Sequence, residues 1–184
     1  MIARATRAFT IPMRRLARTV ARVVADMMPR LRLDVAALPR PRKAMARIVV
    51  FARLPNPTID YYLTARLAAP GMPPSQIVDI RDPTVPGIDP DGAFVIICRY
   101  ASKQVADWID RHAGRLAGVG YFTDDHLGAI ITGGEATVGY RLFLYVRGLA
   151  PLRRLNRHID IIWAATPALA DEIGREHARV LPPA

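Results

Sequence analysis

Residues 121–130 read YFTDDHLGAI, and residues 159–173 read IDIIWAATPALADEI. Each begins as an apolar run and stops abruptly at polar residues. The first stops at Asp124-Asp125, the second at Thr166-Pro167. Each stop leads toward a helix-like stretch. Unbroken apolar runs of this length, rich in β-branched and aromatic residues, read as strands buried on both faces. In an open parallel α/β sheet, ligands bind just past the carboxyl ends of the strands. The residues at the two stops therefore mark a candidate crevice.

The same alternation extends outward from these two stretches. RIVVFA (47–52), QIVDI (76–80), AFVIIC (93–98), AGVGYFT (117–123), IDIIWAAT (159–166) and ARVL (178–181) read as six strands. Between them, Asp60 to Ala69 reads as a helix stopped by Pro70-Gly71. Ser102 is placed to cap a helix carrying Val105, Trp108, Ile109 and His112 at helical spacing. Residues 138–155 read as one long basic-apolar helix, and Ala168 to Arg175 as a short one with Pro167 near its first turn. The loop RDPTVPGIDPDG is rich in turn formers. Strands alternating with helices predict βαβ units, right-handed crossovers and helices on both faces. The predicted fold class is α/β: a Rossmann-like, doubly wound, mostly parallel sheet over residues 48–184, preceded by an N-terminal basic amphipathic helix.

The charge is concentrated at one end. Residues 1–47 hold 12 of the 26 Lys and Arg and only two acids, Asp26 and Asp34, so this segment carries the whole net charge of +10. The remainder is neutral, and overall basicity is no argument for specific nucleic-acid binding. Within this arm, residues 12–28 place Leu16, Val20, Val23, Val24, Met27 and Met28 at helical spacing, with Arg14, Arg15, Arg18 and Arg22 largely on other faces. Such a helix is suited to an anionic membrane surface; docking on the domain and an unstructured tail are the other readings. Residues 29–47, with Pro29, Pro39 and Pro41, read as a linker. No apolar run approaches the roughly 18 residues of a transmembrane helix. Arginines interrupt every apolar stretch of residues 1–30, which argues against a secretory signal. The single cysteine, Cys98, sits in an apolar strand, where a reduced and inert thiol is expected. The expected location is cytoplasmic, peripheral at the inner face of the membrane if the arm binds there.

The candidate chemistry is polar and metal-free. Asp124-Asp125-His126 is the strongest cluster. Neighbouring residues on an extended backbone point to opposite faces, so the two carboxylates are poorly placed to chelate one ion. One of them is suited to accept a substrate hydroxyl proton, and the other to cap the next helix. Arg99-Tyr100 directly follows the third strand. That arginine pairs either with a phosphate or carboxylate in the crevice or internally with Asp124 or Asp125. Asn56 and Thr58 follow the first strand between prolines, where turn chemistry competes with binding. His112, His126, His158 and His177 lack zinc-ligand spacing. Neither GxGxxG nor a Walker A sequence is present, so no dinucleotide or nucleotide cofactor is expected. Arg141, Arg147, Arg153, Arg154 and Arg157 stud the long helix. They form a solvated face, or add to membrane attraction if they share a side with the arm.

In order, NPTIDYYLTARL (56–67), YFTDDHLGAI and IDIIWAATPALADEI followed by ARVLPP (178–183) resemble the N-terminal half of GT-B glycosyltransferases. The kind is the family 4-like one of bacterial polysaccharide assembly. The resemblance covers most of residues 47–184. It implies a domain that holds a sugar acceptor, with Asp124 and Asp125 as catalytic candidates and Arg99, Tyr100, Asn56 and Thr166 as substrate-binding candidates. In such enzymes a second Rossmann-like domain binds the nucleotide-sugar. The sequence ends at Ala184, where that domain would begin. The resemblance therefore implies either an acceptor-binding half that transfers sugar only with a donor-binding second domain or subunit, or a domain that has lost transfer activity. Two other classes are a non-catalytic domain docking on a membrane or partner, and a flavodoxin-type small-molecule enzyme.

Overall fold

The computed structural model describes residues 27–34, 43–133 and 135–184. Apart from Met27 and Met28, the expected amphipathic helix 12–28 lies outside the described residues. Six strands form one sheet: β1 (Arg47–Ala52), β2 (Ser75–Asp79), β3 (Ala93–Cys98), β4 (Gly118–Thr123), β5 (Ile161–Ala164) and β6 (Ala178–Val180). Their order is β2-β1-β3-β4-β5-β6, and every adjacent pair is parallel. The chain moves one way from β1 to β2 and the other way from β3 to β4. The topological switch point therefore lies between β1 and β3, the position where open α/β sheets hold ligands.

Capping side chains fix where the helices begin. Helix α1 runs through Pro57–Ile59, a π-type turn at Asp60–Thr64, and Ala65–Leu67. It starts earlier than the sequence suggested. Pro57 occupies the first turn, where its missing N–H costs nothing, and Asn56 Oδ1 accepts from the Thr58 N–H at 3.1 Å. Helix α2 (Lys103–His112) is capped as expected, with Ser102 Oγ accepting from the Val105 N–H. Its inner face carries Trp108, which meets Phe51 edge-on at 5.6 Å and donates to the Ile88 carbonyl.

Helix α3 (Leu127–Thr132) is followed by α4 (Val138–Leu144). α4 passes directly into a π-type turn at Tyr145–Leu149, and α5 (Leu152–Leu155) follows. The expected single helix over 138–155 is thus broken near Pro151, which offers no backbone donor. Helix α6 (Pro167–Ile173) is capped by Thr166, whose Oγ1 accepts from the Leu169 N–H at 3.2 Å. β5 is shorter than predicted. Ahead of it, the Asp160 side chain takes the Val119 N–H at 2.8 Å, so a carboxylate stands where a ladder carbonyl would.

The two faces of the sheet are covered unequally. On one face, Val49, Phe51, Val95, Ile97, Val119, Tyr121, Ile162 and Ala164 pack with the residues that α2 through α6 turn inward. On the other, Ile48, Val50, Ala52, Ile96, Cys98 and Phe122 pack with Ile59 and Leu63 of α1. Where α1 does not reach, two aromatic side chains lie on strand glycines. A Cβ at Gly118 would fall 2.7 Å from the Phe94 ring, and one at Gly120 would collide with the Trp163 ring. The glycines of β4 let the sheet cover itself.

At the entry to β5, Asp110 of α2 gathers Arg154, Arg157 and His158. His158 Nε2 lies 2.5 Å from Asp110 Oδ1. This cluster ties α2 to α5. Met28, Leu31 and Leu33 pack against the core, and Asn156 Nδ2 donates to the Arg30 carbonyl at 2.7 Å. Part of the segment expected to be a linker therefore lies on the domain.

Candidate functional site

Arg99 stands at the carboxyl end of β3 with φ +64, a conformation that side chains other than glycine rarely adopt. The Tyr100 N–H donates to the Cys98 carbonyl at 2.7 Å, closing a tight three-residue turn around Arg99. The Arg99 N–H donates to the Phe122 carbonyl at 2.9 Å, and its own carbonyl accepts from the Tyr121 hydroxyl at 2.5 Å. Strain of this kind persists only where surrounding bonds over-determine it, and it concentrates at functional sites. Here it turns the guanidinium across the end of the sheet.

Four residues from three chain segments meet that guanidinium. Nη1 donates to Thr58 Oγ1 at 3.1 Å and to Asp124 Oδ2 at 3.3 Å. Nη2 donates to the Tyr100 hydroxyl at 2.7 Å and pairs with Asp125 Oδ2 at 2.8 Å. Nε faces Asp124 Oδ1 at 3.2 Å, an ion pair without hydrogen-bond alignment. The Thr58 hydroxyl donates to Asp124 Oδ2 at 2.7 Å. Thr58 enters from the start of α1, Arg99 and Tyr100 from the end of β3, and the aspartates from the end of β4.

The two carboxylates differ. The Arg99 and Asp124 side chains keep 15% and 20% of their surface, whereas Asp125 keeps 39%. Asp124 is engaged by Thr58 and Arg99 and acts as the inner strut. Asp125 faces outward, and burial pushes its carboxyl above the ordinary value despite Arg99, with Asp124 adding in the same direction. Burial opposes the charge of Arg99, but Asp124, Tyr100 and Asp125 more than offset it and raise its pKa. Burial likewise pushes the Tyr100 hydroxyl up to about 12, so it stays a neutral donor.

Asp125 also lines a cleft of about 1030 Å³. Its walls include Leu127 of α3, Leu152 of α5, Leu169 and Ile173 of α6, Met28 and Leu31 of the leading segment, and the charged Arg30, Arg32, Arg153, Arg157 and Glu172. The other candidate site residues do not line it. On the opposite side, Tyr100 meets Phe143 of α4 edge-on at 5.2 Å, and Tyr140 stacks on Phe143 at 6.3 Å. Arg53 lies 4.4 Å over the Phe143 ring. Tyr140 lies near the Tyr100 hydroxyl and adds to its raised pKa. No local pattern announced Tyr140 and Phe143 here, because only the packing of α4 brings them in; Arg53 directly follows β1 and was legible only as a residue at a strand end.

Asn56 and Thr166 both stand at carboxyl ends of strands, but each spends its oxygen on a helix cap. Asn56 Nδ2 points at Cys98 Sγ, 3.7 Å away. The Cys98 thiol is buried, and burial, reinforced by Asp124, pushes it up to about 12. The expected capping aspartate is replaced by His126, whose Nδ1 accepts from the Ala129 N–H at 2.9 Å. Among the described residues no His, Cys, Asp or Glu cluster is set to hold a metal ion, and no helix is long and apolar enough to cross a membrane.

No protein-family model, no curated protein and no solved structure matches this chain.

Proposed function

We propose that the domain is Rossmann-like and binds a hydroxyl-rich, sugar-type acceptor at the ends of β1, β3 and β4, as the acceptor side of a GT-B-like glycosyltransferase of polysaccharide or glycolipid assembly. One observation carries this reading. A single guanidinium is matched by two carboxylates, of which Asp125 reaches the cleft with a raised pKa. The cluster carries one excess negative charge when both carboxylates are ionised. At Asp125 itself it suits hydroxyl donors better than phosphates. A carboxylate raised toward neutrality is suited to take a proton from an acceptor hydroxyl. In this scheme Asp125 is the base. Asp124 and Thr58 hold Arg99, and Arg99 positions Asp125.

The donor's diphosphate needs an uncommitted cationic cradle, which this cluster lacks. A second, donor-binding domain or subunit is the partner this implies. The arm at residues 12–28 is assigned to an anionic membrane surface on its sequence pattern. A second reading, a non-catalytic docking domain, draws on the mutual neutralisation of Arg99, Asp124 and Asp125 within the cluster.

Nuclear magnetic resonance titration of the full chain separates these readings. Neutral oligosaccharides should shift the signals of Asp125 and of the cleft residues Thr123, Leu127 and Leu169 around it, whereas a flavin mononucleotide should leave Asp125 unmoved. Silence toward every glycoside would leave the docking reading.

A further inference from the structure

Helix α4 turns a row of large apolar side chains into solvent. Val138 is 80% exposed, Leu142 61% and Val146 47%. They recur every four residues along α4 and the π-type turn that continues it, so they form one ridge. The opposite side of the same helix is already used: Leu144 is buried, and Phe143 and Tyr145 pack against the core. The ridge is therefore surplus to folding, and a contiguous exposed apolar row of this kind marks an interaction surface.

Charge selects the partner. Arg141 precedes Leu142, and Arg147 follows Val146, so a cation flanks the ridge on each side. No Asp or Glu occurs from 136 to 159, and Arg154 further along is already taken up by Asp107 and Asp110, so the cations at the ridge are Arg141 and Arg147. A row of three side chains falls well short of the roughly 800 Å² per partner that a stable protein interface buries. It is enough for shallow insertion, because aliphatic side chains enter the acyl boundary while arginines stay among anionic headgroups.

We propose that the ridge Val138, Leu142 and Val146 inserts into an anionic lipid surface, with Arg141 and Arg147 on its headgroups. The contact is separate from residues 12–28 and does not depend on whether the crevice takes a sugar. It would set the carboxyl edge of the sheet, with Asp125, close to the membrane, because the π-type turn packs on the Arg99 turn through Gly148 and the Ala101 N–H, which donates to the Arg147 carbonyl at 2.8 Å.

The test uses the full chain carrying an environment-sensitive fluorophore on Leu142→Cys, with Lys103→Cys on α2 as the control. On vesicles of equal parts neutral and anionic phospholipid, the label at 142 should shift to the blue and be quenched by bromine-bearing lipid. The label at 103 should do neither. The double variant Val138→Asp/Leu142→Asp, at two exposed positions that leave the core untouched, should bind these vesicles at least about fivefold more weakly with an unchanged melting temperature. Binding with no shift at 142 would mean that the arm alone docks, and the proposal would fail. It would equally fail if no anionic vesicle bound, or if the ridge responded only to an added acidic protein.

Discussion

Arg99 Nη2 and Asp125 Oδ2 lie 2.8 Å apart across the ends of β3 and β4, and the backbone of Arg99 is held at φ +64 to make that contact. The strained backbone and the ion pair belong to one device. A turn that few side chains tolerate aims the guanidinium at both carboxylates at once. Replacing the arginine by alanine keeps the Cβ, and with it the backbone strain, while leaving Asp124 and Asp125 facing each other without a cation.

Arg99→Ala should therefore destabilise the domain by about 2–3 kcal/mol, below the 3–5 kcal/mol of a fully buried pair because the group keeps some solvent. Asp125 should titrate at still higher pH, since the Arg99 charge that lowers its pKa is gone. Arg99→Lys keeps the charge but not the planar fork and should recover only part of the loss. Chemical denaturation measures the first effect, and carboxyl chemical shifts followed through a pH titration measure the second.

Acid should act through Asp110. Burial works against its charge, but hydrogen bonds from Arg157, Arg154 and His158 prevail and lower its pKa to about 2. A carboxylate lowered by folding adds stability above its unfolded value of about 3.8, and that contribution is lost as pH falls toward about 2. Asp110→Asn should lower the melting temperature near neutrality, and the difference from wild type should shrink as pH falls through this window. A difference independent of pH would mean that Asp110 acts through packing alone.

The self-covered sheet face makes a sharper prediction. Gly120→Ala places a methyl group in the Trp163 ring and should cost about 1–3 kcal/mol, the range of overpacking in a filled site. Trp163→Leu clears the space, so the double variant should lose less than the sum of the singles. A double-mutant cycle by urea denaturation reads the coupling directly.

Much of the sheet was legible because its strands are continuous β-branched runs. RIVVFA and AFVIIC are buried almost throughout, and such a run has few alternative placements. Less legible was what depends on partners distant in sequence. The first helix begins at Pro57 rather than at the expected Asp60, because Asn56 supplies the cap. Asp160 looked like part of a strand, but its side chain takes a backbone N–H of β4. The broken helix after Thr137 carries a π-type turn that no local pattern announced. At the site, Arg99, Tyr100, Asp124 and Asp125 meet because each directly follows a strand of one parallel sheet. Asn56 and Thr166 share that edge, and capping explains their residue types. Thr58 was legible only as a turn residue; its bond to Asp124 spans 66 positions and appears only in the fold.

The division of labour between the two aspartates is the centre of this account, and calorimetric binding of a neutral oligosaccharide to the full chain and two variants tests it most directly. Asp125→Asn should weaken binding about tenfold or more with little change in melting temperature, because it replaces a charged two-oxygen acceptor facing the cleft by a neutral amide. Asp124→Asn should chiefly lower the melting temperature, because it removes the strut under Arg99. If a glycoside binds and the two variants behave alike, or if Asp125→Asn leaves affinity untouched, Asp125 does not meet the sugar and the assignment of the crevice is wrong.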